Sequence, residues 1–279
     1  MPTFEHDGLT FAYETWGDPE APAVVLLHGF TSDLRMWHPV VERIAGDYAV
    51  IAMDLRGHGQ SAAPEDLSLY TAELLAGDVG ALLDHLGVDL CVLVGCSFGG
   101  MIALQYAVDA PGRLAGLVLT DTSAAYDHPD YDERYRERER RIEATTEVVA
   151  RFGTMELGRR AAATISDPFL ARGLRERYAR ISAAGWVGCA KVRRERPNLL
   201  PVIGARLTMP VMVCFGEDDP VRSAAEVMCR ELPRARQVMF RATGHGVPVL
   251  QPERFSRELI RFFRDLEDGR EVAGRSTVG

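Results

Sequence analysis

Six short apolar runs in this chain end in small or polar residues, with helical patterns between them: AVVLLHG, YAVIAMDL, LCVLVGCS, LAGLVLTDT, PVMVCFGEDD and RQVMFRATGH. Each reads as a strand buried in a sheet. Helical candidates fall at 36–45, 71–86, 98–109, 224–232 and 253–266. This alternation predicts an α/β fold, a mostly parallel central sheet flanked by helices on both faces. Functional groups in such a sheet gather at the carboxyl ends of its strands. Ahead of the alternation, FEHDGLTFAYETWG predicts a hairpin turning at Asp7-Gly8. After Thr122 the alternation stops, and it resumes at Met209-Pro210-Val211. The stretch between holds charged helical patterns and no buried strand. The expected organisation is a sheet domain in two parts, 1–123 and 206–279, with a helical insertion at 124–205.

A chain of 279 residues with 47% hydrophobic and 26% charged residues suits one large globular domain with an insertion. A net charge of −8 excludes nucleic acid as an expected partner. The five cysteines, Cys91, Cys96, Cys189, Cys214 and Cys229, show neither a CxxC pair nor Cys/His metal spacing and are expected as buried free thiols. The first residues lack the basic and apolar regions of a secretory leader, and no apolar run approaches the ~20 residues of a membrane span. A cytoplasmic protein with no membrane partner is therefore expected. The tail after Asp268, GREVAGRSTVG, is expected to be frayed.

VGCSFGGM, residues 94–101, places a serine where a strand gives way to a helix. So tight a turn strains the serine backbone and leaves no room for side chains nearby, which calls for Gly95 and Gly99. It also presents the hydroxyl at a helix N-terminus, where backbone N–H groups favour developing negative charge. This is the G-x-S-x-G nucleophile elbow, with the required strand before it and helix after it. Ser97 is thus the candidate nucleophile.

A serine hydroxyl needs a base. In elbow proteins the chain order is serine, acid, histidine, and of seven histidines only His128 and His245 follow Ser97. His128, in AYDHPDYDE, reads as a loop histidine. His245, in ATGHGVP after the last of the six strands, is the candidate base. The orienting acid is Asp218 or Asp219 in GEDDPV, with Asp121 at the end of LVLTD as a third choice. Two backbone donors are needed for an oxyanion, and the amides of Phe98 and Phe30 are placed to supply them. His28 reads as a structural hydrogen-bonding residue.

Taken together, HGF, DLRGHGQS (54–61), GCSFGG, GEDDPV and GHGVPVLQPERF resemble the α/β-hydrolase superfamily over nearly the whole chain except the insertion. The resemblance implies that fold with a helical lid. It also favours Asp219 as the acid, three residues beyond the strand-end Gly216. Where the family often carries Glu two residues before the proline of the last segment, this chain has Leu250, a departure that concerns packing of the final helix. TSDLRMW and GWVGCAKVRR are similar to segments of 3-oxoadipate enol-lactonases and their carboxylesterase relatives. Gly246 after the histidine differs from the Trp frequent in carbon–carbon bond hydrolases, and Ser97 differs from the Asp nucleophile of haloalkane dehalogenases.

The mechanism implied is acyl transfer from a small-molecule ester or lactone through an acyl-enzyme, needing no metal or organic cofactor. The same triad suits a cofactor-free perhydrolase or haloperoxidase, or an acyltransferase. A low-turnover ligand-sensing member of the fold is the non-enzyme alternative. The insertion carries 16 Lys and Arg against 12 Asp and Glu, a net of +4, while the remainder carries 16 against 28. DERYRERERR reads as a solvated helix face with pairs Asp132–Arg136 and Glu137–Arg141. Such a surface argues against an interfacial lipase, whose lid presents a broad apolar face. The sharper expectation is that Arg193 or Arg194 attracts an anionic acyl substrate, with Trp186 lining the pocket or packing the lid.

Overall fold

The computed structural model describes residues 1–279. The hairpin forms between β1 (Thr3–His6) and β2 (Leu9–Trp16), which pair antiparallel. Its two turn residues, Asp7 and Gly8, both have positive φ, 49° and 75°, as a two-residue turn of the right twist requires. β2 then pairs antiparallel with β4 (Ala49–Met53). Every later pairing is parallel: β3 (Ala23–Leu27), β5 (Cys91–Cys96), β6 (Leu114–Thr120), β7 (Val211–Gly216), β8 (Arg236–Phe240) and β9 (Gly274–Val278). The order across the sheet is β1-β2-β4-β3-β5-β6-β7-β8-β9.

Residues alternate between the two faces, so each strand feeds two cores. On one face Val25 and Leu27 pack with α2 (Ala72–Leu86), α3 (Phe98–Asp109) and α8 (Arg222–Glu231). On the other, Val24 and Leu26 pack with α1 (His38–Ile44) and α10 (Pro252–Glu267), which contributes Phe255, Leu259, Phe262 and Phe263. The short α9 (Val247–Leu250) leads into α10. All five cysteines are buried free thiols. No helix is long and apolar enough to cross a membrane.

The tail is not frayed. Residues 274–278 form β9, pairing in parallel with β8 from Arg236↔Gly274 to Phe240↔Val278. The outer edge of β8 would otherwise present unpaired N–H and C=O groups, and an edge strand can satisfy them with exposed polar side chains. A low apolar content therefore gave no sign of it. Val272, just before β9, is buried in the core beside α10.

Between β6 and β7 come α4 (Glu133–Ala162), α5 (Pro168–Ala179), α6 (Ala183–Glu195) and α7 (Leu200–Arg206). α4 is two helices meeting at Gly153, whose φ of 79° and ψ of 170° are non-helical. The charged run at its start is not solvated all round. Tyr135, Glu139 and Val149 are buried, and Ile142 and Thr146 partly so, an inward stripe at helical spacing. Of the two expected ion pairs, Glu137–Arg141 forms at 3.3 Å. Asp132–Arg136 does not, because Asp132 caps the helix by accepting from the Tyr135 amide and Arg136 turns back to the carbonyls of His128 and Pro129. Nor is the outer surface uniformly charged, since Phe152, Met155, Phe169 and Leu170 are exposed on α4 and α5.

Candidate active site

β5 ends at Cys96, and the chain must enter α3 within one residue. Ser97 makes that turn with φ 53° and ψ −111°, a strained region for any residue with a side chain. Its neighbours hold it there. The Ser97 amide donates to Thr120 O at 2.8 Å, and its carbonyl accepts from Thr122 Oγ1 at 2.7 Å and from the Met101 amide at 3.1 Å. A Cβ on Gly95 would lie 2.5 Å from Gly99 O, and one on Gly99 would lie 2.3 Å from Leu27 O. Close backbone approach therefore requires both glycines.

Two strand ends supply the facing groups. His245 follows β8, and its Nε2 stands 2.9 Å from Ser97 Oγ. Its Nδ1 is 2.9 and 3.0 Å from the two carboxylate oxygens of Asp219, which follows β7. With an ionised Asp219 the ring proton sits on Nδ1, leaving Nε2 as an acceptor toward the serine hydroxyl. Of the adjacent acids, Asp219 is buried and faces the histidine while Asp218 is exposed. His128 lies in the loop before α4, where its Nδ1 accepts the Asp130 amide.

Asp121, at the end of β6, does not bond the histidine. Its oxygens accept from the amides of Val247 at 2.8 Å and Gly216 at 3.4 Å and from Thr120 Oγ1 at 2.8 Å. It nonetheless stands behind Asp219, for its ligand-type atoms and those of Asp219 and His245 lie within 4.8 Å of one another. These are metal-ligand types, but the internal hydrogen bonds already engage them. Burial, reinforced by the charge of Asp219, pushes the Asp121 carboxyl well above the usual carboxylate range. In its protonated form Asp121 can serve as a donor toward Asp219. Burial opposes ionisation of Asp219 too, but the hydrogen bond and charge of His245, with the bonds from Asp121 and the Val221 amide, hold its pKa below the ordinary value. Burial of the ring and then the Arg138 guanidinium lower the pKa of His245, against the pull of Asp219.

The loop after β3 lies against Ser97: a Cβ on Gly29 would meet Ser97 Cβ at 3.5 Å. Neither the Phe30 amide nor the Phe98 amide donates to another group of the chain. His28 braces this loop, donating from Nδ1 to Gly29 O at 2.8 Å and accepting the Leu55 amide on Nε2 at 3.0 Å. His58 accepts the Thr31 amide at 3.1 Å. Burial and then His28 press the His58 pKa down to about 3, so it remains a neutral acceptor.

Above these strand ends sit α4 and α6. Trp186 is buried, its ring edge-on to Phe30 at 5.1 Å and its Nε1 donating to Thr146 Oγ1 at 3.1 Å. Arg193 is buried over the Phe30 ring at 5.4 Å and bonds both oxygens of Glu139, at 2.8 and 2.7 Å. Arg194 is exposed and pairs with Glu195 at 2.9 Å. It lines a surface hollow of about 340 Å³ that includes Glu139 and Arg193 but neither Ser97 nor His245. A larger hollow of about 580 Å³, between residues 31–35 and Arg177 and Arg180 of α5, also lacks Ser97. Ser97 itself is only 4% exposed.

Sequence reasoning missed Arg138 and Glu139. Arg138 Nη2 lies 3.1 Å from His245 Nε2, and its Nη1 lies 2.7 Å from Glu139 Oε1. A signal for Glu139, though not for Arg138, was present in the spacing of 135, 139, 142, 146 and 149, which marks an inward face that begins in the charged run.

The family described as alpha/beta hydrolase fold matches residues 22–252. The 3-oxoadipate enol-lactonase 2 of Acinetobacter baylyi is 28% identical over 274 residues, covering 92% of this chain and 96% of that protein. A thermophilic esterase from Thermogutta terrifontis, solved with malate bound, is 30% identical with a TM-score of 0.76, over 95% of this chain and 97% of that one. The enol-lactonase from Burkholderia xenovorans LB400 shares the fold with a TM-score of 0.79 at 22% identity, over 94% of this chain and 100% of that one. With its elbow serine at the end of β5 and the family match spanning most of its length, the chain belongs to the α/β-hydrolase fold family.

Proposed function

We propose that the protein is a serine hydrolase of small carboxylic esters or lactones that works through an acyl-enzyme. The observation that carries this reading is the relay Ser97–His245–Asp219, with 2.9 Å at each junction. Ser97 Oγ attacks the carbonyl carbon as His245 Nε2 takes its proton. Asp219 holds the ring and stabilises the imidazolium. The amides of Phe30 and Phe98 receive the oxyanion. The C–O bond to the alcohol breaks, and His245 returns the proton to the leaving oxygen. Water, deprotonated by His245, then attacks the acyl-enzyme and releases the acid with Ser97 restored.

The helices of 124–205 serve as a lid between the two parts of the hydrolase core, 1–123 and 206–279. Trp186 and Arg193 form its inner lining over Phe30. Arg194 belongs to its outer surface. The relatives named as an enol-lactonase and an esterase support the ester and lactone class. A panel of small esters and lactones, including an enol-lactone, together with labelling by a fluorophosphonate, tests the reading. Turnover of at least one class and labelling at Ser97 are expected. Labelling that survives Ser97→Ala, or no turnover across the panel, would sink it.

A further inference from the structure

Arg138 makes a contact that the acyl-transfer cycle leaves unused. Its Nη2 is 3.1 Å from His245 Nε2, the nitrogen that is also 2.9 Å from Ser97 Oγ. With Asp219 fixing the ring proton on Nδ1, Nε2 has a single lone pair. A guanidinium can only donate and stays charged. The lone pair that must accept the serine proton is therefore engaged by Arg138. Proton transfer would moreover place an imidazolium beside a guanidinium. The resting contact opposes the base.

The surroundings leave this cation under-compensated. Glu139 is the carboxylate bonded to Arg138, and the same carboxylate also receives Arg193 through both oxygens. Two guanidiniums share one negative charge. Arg193 is buried, and its Nε has no hydrogen-bond partner. A buried cation with an unsatisfied donor is costly, and an incoming anion supplies what is missing.

We infer that Arg138 is a specificity-determining residue that restrains His245 until a substrate carboxylate draws its guanidinium away, so that the enzyme prefers esters or lactones carrying a free carboxylate a few bonds from the reacting carbonyl. The inference rests on the serine-hydrolase reading and adds the charge of the substrate to it. The carboxylate pairs with Arg138 beside Arg193, and the Nε2 lone pair passes to the Ser97 hydroxyl. A neutral ester offers Arg138 no partner and meets a base still engaged. The groups facing His245 fit this account. Ser97 from the β5 turn and Asp219 from β7 bond the ring, Asp121 from β6 stands behind the acid, and Arg138 from α4 and Arg193 from α6 are the cations that weaken its basicity.

Monoethyl glutarate and ethyl pentanoate have acyl chains of equal length, ending in a carboxylate and a methyl. The wild type is expected to favour the glutarate in kcat/KM by about 10- to 100-fold, as for loss of a hydrogen bond to a charged group, and less so as salt is raised. Arg138→Gln should lose that preference, hydrolyse ethyl pentanoate faster than the wild type, and move the acidic limb of its pH profile to higher pH. Arg138→Lys keeps the charge and should keep part of the preference. Labelling of Ser97 by a neutral fluorophosphonate reads the base without any ester, and it should be faster in Arg138→Gln. Equal labelling rates overturn the inference, as does a stably folded Arg138→Gln that slows both esters alike. If Ser97 is unlabelled in every form, the serine-hydrolase reading falls and this one with it. Labelling without turnover of either ester confines the failure to the ester assignment, and the labelling rates still decide the role of Arg138.

Discussion

Ser97 is held by three hydrogen bonds to its own backbone, whereas Arg138 and Arg193 above it are held by the ends of their side chains. The same contrast runs through the whole site. Its floor consists of strand ends, where Asp219, His245 and the 28–30 loop follow β7, β8 and β3 directly. Its roof is two helices tied to each other by the bonds of Arg193 to Glu139 and set on that floor by Trp186 edge-on to Phe30, Arg193 over the Phe30 ring and Arg138 against His245. A floor of this kind has one geometry and can keep a strained serine in place. A roof of long side chains can rearrange around a bound molecule. On the proposed reading, chemistry belongs to the first and choice of substrate to the second.

The largest effects should come from the floor. Ser97→Ala and His245→Ala should each lower kcat by roughly 10⁴ or more, and Asp219→Asn by about 10⁴ through the wrong ring tautomer. Asp218→Asn, altering an exposed side chain, should stay close to wild type. One ester assay on the four purified variants decides this. A dead Asp218→Asn or an active Asp219→Asn would break the contrast at its strongest point.

The floor was legible in the sequence because each part announces itself locally. A strand ends in a glycine, a serine or an acid follows, and the apolar run before it is unmistakable. Asp219 needed more, since either of two adjacent acids suited the pattern and only the family offset favoured it. The roof was hidden for a physical reason. In DERYRERERR every residue but Tyr135 is charged, so charge alone cannot tell an inward guanidinium from a solvated one. Glu139 is buried against Arg193, which comes from 54 positions later in the chain. The edge strand β9 was hidden for a similar reason, because backbone bonds to β8 hold it rather than apolar side chains.

Stability should separate the two regions next. Arg193→Ala leaves Glu139 buried without two of its bonds and should cost about 3–5 kcal/mol. Gly99→Ala forces a methyl against the carbonyls of Leu27 and His28 and should cost about 1–3 kcal/mol or more. Denaturant titration measures both. The activities should then diverge. Gly99→Ala should abolish turnover of every ester by moving the elbow, while Arg193→Ala, where folded, should change the order of preference among esters.

A separate effect is expected from pH. The Asp121 carboxyl is raised well above its usual range in the fold by burial and by Asp219, whereas the unfolded chain holds it near about 3.9. Its contribution to stability is therefore complete below that value and is lost as pH rises through the folded pKa, at up to about 1.4 kcal/mol per pH unit. Asp121→Asn keeps an N–H donor for Asp219 and an acceptor for the Val247 amide but cannot ionise. The wild type should lose stability faster than this variant between pH 5 and pH 8. Parallel curves would mean that Asp121 is already ionised across the range and does not donate to Asp219.

The smallest effect should come from Arg194, one residue from Arg193 and turned the other way. Its side chain is 56% exposed and its partner Glu195 is 49% exposed. A pair so open to water contributes little, and salt screens it further. Arg194→Ala should leave the midpoint of thermal unfolding nearly unchanged. At about 0.15 M ionic strength it should shift kcat/KM by less than about twofold for ethyl pentanoate and monoethyl glutarate alike. The adjacent residues thus test whether the roof acts through contact or through general positive charge. If general charge drew the anion in, Arg194→Ala would raise KM for the glutarate alone, and low salt would enlarge the difference. If contact at Arg138 and Arg193 decides, removing Arg194 matters for neither ester at any salt concentration. A selective several-fold rise in KM in Arg194→Ala would extend the proposed binding surface outward to the hollow beside Lys191 and weaken the division between the inner and outer faces of the helices at 124–205.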